Sequence, residues 1–131
     1  MLVGNALKAL EYKIKAEAIA LPPLNQLSEL FFEAFTHICD LCVPNELIRK
    51  NSDMRVYRNI DNGFYIAMPE RPIFDENDPN YDPNAHLMID ENLSFAAVDF
   101  VAFLITKNPF YELLCDKRID NFIANDQKGG L

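Results

Sequence analysis

The chain has no tryptophan, and 131 residues include only four glycines, three cysteines and two histidines. Each scarcity removes a class of function. Gly4, Gly63, Gly129 and Gly130 are too scattered to build a phosphate-cradling loop, and no G-x-S-x-G or H-E-x-x-H motif is present. Catalysis has little to stand on, so the expectation is a protein that is not an enzyme and needs no cofactor. Cys39, Cys42 and Cys115 are odd in number and too few for a secreted disulfide scaffold; they read as free thiols in a reducing cytoplasm. Basic residues are also short, with 12 Lys and Arg against 20 Asp and Glu and a net charge of −8. Nucleic-acid affinity comes largely from Lys and Arg on phosphates, so this balance argues against nucleic acid and against an anionic membrane surface. The first residues lack the basic start and continuous apolar run of a secretion signal.

What the chain does have is apolar content, 50% of its residues, enough for one domain over 1–131 without disulfide or metal. The organising stretch is Met88 to Ile105. Between Phe95 and Ile105 the only residue that is not apolar is Asp99. A surface helix keeps a polar face, and this one has almost none. It is also shorter than the roughly 20 apolar residues that cross a bilayer. It is therefore either the central helix of a small core or a helix half-finished by a neighbouring subunit.

In chain order, residues 1–21 carry Val3, Leu7, Leu10, Ile14 and Leu21, with steps of four and three until Glu17 interrupts, a narrow stripe on an amphipathic helix. Such a stripe suits one neighbouring helix, in this chain or another, and could serve as a docking arm. Pro22-Pro23 ends it. Asn25 or Ser28 is placed to cap a second helix running to about Val43, with Leu27, Phe31, Ala34, Phe35 and Ile38 on its apolar face. Pro44 stops that helix, and Asn45 starts one further turn, so that 24–50 reads as helical. Over 53–68 the period changes to two on both sides of Asn62-Gly63, the strongest short signal for a β-hairpin. A lone hairpin is barely stable, so it must rest on the helices or gain further strands. Residues 75–86, DENDPNYDPNAH, form an acidic loop. Asp90 is placed to cap the third helix, with Glu91 in its first turn. Asn108-Pro109 starts the fourth helix, so that 90–124 holds two helices, and 125–131 is a tail. The fold class is mainly α: a small four-helix domain with one β-hairpin inserted between helices 2 and 3.

The candidate sites each have a plainer explanation. Cys39-Asp40-Leu41-Cys42, with His37 just before it, has C-x-x-C spacing and invites a metal or redox reading, but it falls at the C-terminal end of a helix, where the dipole opposes a thiolate. Zinc would need further ligands, and only Cys115 and His86 remain, both distant in sequence. Core packing explains the pair better. An EF-hand reading of the acidic loop from Asp78 puts Pro83 where glycine is required and Ile89 where the bidentate glutamate belongs, so it fails. Asp99 either marks one exposed line of its helix, flanked by Phe95 and Phe103, or pairs with Arg or Lys across a subunit boundary, because an unpaired buried carboxylate is costly.

This layout over residues 24–124 resembles the head–tail connector (adaptor, or head-completion) proteins of tailed bacteriophages. The resemblance rests on the order of elements and on the apolar-plus-acid step Leu87-Met88-Ile89-Asp90-Glu91 leading into Leu93, Ala96, Ala97, Phe100, Val101 and Leu104. It implies a virion protein made in the host cytoplasm, forming a ring, usually dodecameric, between the portal protein and a neighbouring tail protein. Phe95, Asp99 and Phe103 on the apolar helix would then meet the adjacent subunit. Tyr65 of the hairpin, Asp78, Tyr81 and Asp82 of the loop, and Leu131 of the tail would reach neighbouring proteins. The acidic charge would keep passing DNA from adhering. Two other readings remain open: a small acidic inhibitor or antitoxin-like protein covering a basic nucleic-acid-binding partner, and a sensor or enzyme with a pocket beside Cys39 and Cys115.

Overall fold

The structure is a computed structural model that describes residues 1–127. Its centre is α3 (Glu91–Thr106), in which every residue from Ala96 to Ala102, Asp99 included, is buried together with Leu93 and Ser94. Three helices of the same chain surround it: α1 (Val3–Lys15), α2 (Leu24–Leu41) and α4 (Pro109–Phe122). Ala96, Ala97 and Ala102 leave room for facing side chains to interdigitate at interior packing density. Of the two fates open to this helix, it takes the first. The expectation of a helix completed by a neighbour is corrected, because its own chain already covers it.

The stripe of α1 is used in the same way. Val3, Ala6, Leu10 and Ile14 are buried in the common core. The start of the chain is also pinned by backbone bonds, Val3 N–H to Ala85 O and Leu87 N–H to Met1 O, each 2.9 Å. A helix seated in this way is no docking arm, which corrects that expectation. Burial of each Leu- or Ile-sized side chain contributes about 1.5–3 kcal/mol, a gain an arm would forgo.

Pro23 precedes α2, which begins at Leu24 without a side-chain cap. Neither Asn25 nor Ser28 caps it; Ser28 Oγ instead donates to Pro72 O at 2.6 Å. The other end of α2 is closed from outside its own sequence. The Arg58 guanidinium donates to Cys39 O at 2.9 and 3.1 Å and to Cys42 O at 3.0 Å, placing a cation on the negative end of the helix.

The hairpin forms as the period-2 pattern requires, from β2 (Val56–Asn59) and β3 (Phe64–Ala67). Asn62 and Gly63 both have positive φ, 61° and 81°, and Phe64 N–H returns to Asp61 O at 3.0 Å, a type I′ turn. The further strand comes from a segment expected to be helical. After a 3-10 turn at Asn45–Leu47, β1 (Ile48–Lys50) pairs antiparallel with β3, giving the order β1-β3-β2. The segment 45–50 is thus a turn and a strand, not further helix. Three residues carry too little pattern to reveal a strand, and the pairing of Ile48 with Ile66 is a tertiary event. Cys39, Leu47 and Ile66 form a second small core that seats the sheet on α2.

The connection from β3 to α3 has no regular structure, yet Phe74, Leu87 and Ile89 are buried, and the Phe74 ring lies 5.1 Å from Phe31. Asp90 stands at the start of α3 but does not cap it. Its carboxylate accepts from the Asn45 and Glu46 N–H groups at 3.0 and 2.8 Å, so it caps the 3-10 turn before β1. Asn108 does cap α4, accepting from Phe110 N–H at 3.0 Å with Pro109 at the first helical position. A π-helical turn over Ile123–Gln127 follows α4. Leu131 lies outside the described residues, as does most of the expected tail. No helix among the described residues is long and apolar enough to cross a membrane.

Candidate functional site

Asp99 and Ser94 are the only polar residues in the buried set among the described residues, and Asp99 is the only charged one. Arg118 Nε of α4 donates to Asp99 Oδ2 at 2.6 Å. Lys13 Nζ of α1 lies 3.0 Å from Oδ1, within ion-pair range but off hydrogen-bond alignment. Asp99 is therefore neither on an exposed line nor waiting for a cation from another subunit. Both sequence expectations are corrected by one geometry: two cations of the same chain converge on the carboxylate, tying α1, α3 and α4 together. Arg118 also lies over the Phe95 ring, 5.4 Å from its centre, and leaves Phe95 42% exposed. Phe103 is half-buried against Phe100.

The remaining interface candidates divide. Tyr65 is buried, with its hydroxyl 3.1 Å from Ser52 O and 3.3 Å from Met54 O, so it braces the segment before β2 rather than facing a partner. In the acidic loop, Asp75, Asp78 and Asp82 each accept from the backbone N–H two residues on, at 2.9, 2.8 and 2.9 Å. These are three successive Asx-turns, and the carboxylates shape the loop. Tyr81 is half-buried, and its N–H donates to Asp78 O at 3.0 Å.

The C-x-x-C pair is buried at the end of α2. Burial pushes the Cys39 thiol up to about 12, with the neighbouring Cys42 and the negative charge of Asp40 adding to the effect and Arg58 opposing it. Burial likewise pushes Cys42 up to about 12, reinforced by Asp90. Its Sγ lies 3.4 Å from Ile38 O, as a weak donor. Neutral, buried thiols are poor nucleophiles and poor redox centres.

Another grouping takes two residues weighed in the zinc reading, His37 and Cys115, away from Cys39 and Cys42 and joins them to Asp116, which that reading did not include. His37 of α2 stacks flat on Phe100, ring centres 4.2 Å apart and planes 7° from parallel. Its Nε2 is enclosed, has no hydrogen-bond partner, and lies 3.7 Å from Asp116 Oδ1 of α4. Cys115 is fully buried beside them, and one ligand atom from each of His37, Cys115 and Asp116 falls within 4.8 Å of the others. Adjacent residues on a helix diverge by about 100°, which lets Cys115 face the core while Asp116 stands at its edge. No sequence signal links His37 to the 115–116 pair, because α2 and α4 are far apart in the chain and are brought side by side only by their common packing on α3.

Large apolar side chains remain on the surface of α4. Phe110 is 56% and Leu113 is 66% exposed, with half-buried Leu114 beside them at helical spacing. No family model, curated protein or solved structure matches this chain.

Proposed function

We propose that this protein is a non-catalytic structural component of a tailed-phage virion, acting as a ring adaptor between the portal protein and a tail protein. The observation that carries this reading is the pair Phe110 and Leu113, two large apolar side chains standing in solvent on an otherwise well-packed helix. Contact surfaces between subunits are built around such anchors, with polar residues at the rim. A head-to-tail contact made by this face closes into a ring when each copy is rotated by an even fraction of a turn. In this reading α4, rather than the covered α3, supplies the main subunit contact, with Phe95 at its margin. The net charge of −8 fits a lumen through which DNA passes without adhering.

Native mass spectrometry tests the proposal, on the protein alone and after mixing with the portal protein of the same virion. A closed ring of many equal copies, dodecameric by the resemblance, is expected, and Leu113→Asp should abolish it while leaving a folded monomer. A one-to-one complex with a basic nucleic-acid-binding protein, and no ring, would replace this reading with the acidic-inhibitor one.

A further inference from the structure

We propose that His37, Cys115 and Asp116 form a binding site for a divalent transition metal, zinc above all, whose fourth position opens onto the groove between α2 and α4. The donor set is one imidazole, one thiol sulfur and one carboxylate, a mixture that suits zinc and cobalt far better than magnesium or calcium, which take oxygen ligands. The spacing is close to what coordination demands. Tetrahedral zinc with ordinary bond lengths sets neighbouring nitrogen, oxygen and sulfur ligands about 3.4–3.6 Å apart. His37 Nε2 and Asp116 Oδ1 already stand at 3.7 Å, and one ligand atom from each of His37, Cys115 and Asp116 lies within 4.8 Å of the others.

Two features mark the trio as a site rather than a chance meeting. First, His37 Nε2 is enclosed without a hydrogen-bond partner, a costly state that a bound cation would relieve. Second, the imidazole is held flat on Phe100, so its direction is set before any ligand arrives. Asp116 is about half exposed and can swing towards the other two donors, while Cys115 forms the dry floor. Leu41, Asp120 and Ile123 line the groove beside His37 and Asp116, giving an ion a route in and room for a fourth ligand. Three protein ligands and one open position is the pattern of an accessible zinc site rather than a closed structural one. Metal held here would join α2 to α4 directly, across the edge of α3.

Cobalt(II) is the probe. The full chain, stripped of metal with a chelator, is titrated with cobalt while the visible and near-ultraviolet spectrum is followed. One equivalent should bring up tetrahedral d–d bands and a thiolate-to-cobalt charge-transfer band, and zinc should then erase both. His37→Gln and Asp116→Asn, both outside the fully buried core, should each weaken binding by at least the 10- to 100-fold that loss of an outer-shell partner costs. Cys115→Ser should lose the charge-transfer band. The proposal is overturned if the folded wild-type chain shows no thiolate–cobalt band at one equivalent. It is equally overturned if His37→Gln and Asp116→Asn bind as tightly as the wild type, because the thiolate signal would then belong to Cys39 and Cys42. Neither result depends on whether the protein forms a ring.

Discussion

Arg118 Nε and Asp99 Oδ2 meet at 2.6 Å, joining an arginine that is 41% exposed to a carboxylate that is wholly buried. The arginine carries its charge to the surface while its hydrogen bond neutralises the core. Lys13 approaches the same carboxylate from α1 at 3.0 Å. This arrangement lets one carboxylate sit in the otherwise apolar run from Phe95 to Ile105.

Removing the arginine should expose the cost of that burial. Arg118→Ala is expected to destabilise the domain by about 3 kcal/mol, the low end for breaking a buried pair, because Lys13 remains. Asp99→Asn in the same chain should recover part of the loss, since the uncompensated charge is gone. Urea denaturation of the two single variants and the double variant gives the coupling. A loss in Arg118→Ala below about 0.5 kcal/mol, the size of an exposed pair, would show that water and Lys13 suffice.

Asp90 holds the turn that leads into β1 rather than the helix it precedes. Asp90→Ala should cost about 1 kcal/mol, as loss of a cap does. Amide hydrogen exchange should speed up at Asn45 and Glu46, the two N–H groups the carboxylate accepts from. If the faster amides are instead those in the first turn of α3, the carboxylate caps α3 in solution.

Phe74 anchors a long connection that has no regular structure. Its ring is buried against Phe31 at 5.1 Å. Phe74→Ala is expected to cost about 3–5 kcal/mol and to make the 69–90 segment the first site of limited proteolysis. Cleavage starting elsewhere would show that Leu87 and Ile89 hold the segment without it.

Cys39, Cys42, Cys115 and Tyr57 make the fold sensitive to alkali. Burial pushes all three thiols from 9.0 up to about 12, and burial with the Asp40 hydrogen bond pushes Tyr57 from 10.0 up to about 12. Unfolded, these groups lose protons near their ordinary values; folded, they hold them until about pH 12. Between those limits the unfolded chain binds fewer protons, so stability falls as pH rises. The urea midpoint should be flat with respect to these groups below pH 9 and should decline from 9 towards 12. Below pH 9, alkylation followed by mass spectrometry should find Cys39 and Cys42 unmodified in the folded protein and modified in guanidinium. Rapid labelling of Cys39 or Cys42 in the folded state would show a thiolate that burial does not suppress.

The helical character of the domain was legible because apolar periodicity over 13 to 18 residues is a strong signal, as in α1 and α2. The hairpin was equally plain, because Asn62-Gly63 is a turn that few other residue pairs can make. Asn108-Pro109 read correctly as a cap because both atoms of that hydrogen bond lie within three residues. Asp90 misled because its partners lie elsewhere in the chain.

The sequence by itself determined that there are four helices and roughly where each lies, where the hairpin turns, and that α3 must be covered almost all round, though α1 ends at Lys15 rather than at Pro22-Pro23 and 45–50 is not helix. Those are matters of local backbone preference and of side-chain period, both carried by neighbouring residues. The tertiary structure alone decided what does the covering and which charges meet. It brought Lys13 and Arg118 onto Asp99, Arg58 onto the end of α2, Ile48 beside Ile66, and His37 beside Cys115 and Asp116. Each of these contacts joins residues far apart in the chain. Burial makes such pairings energetically decisive, because a charge or polar atom removed from water must find a partner wherever the fold supplies one.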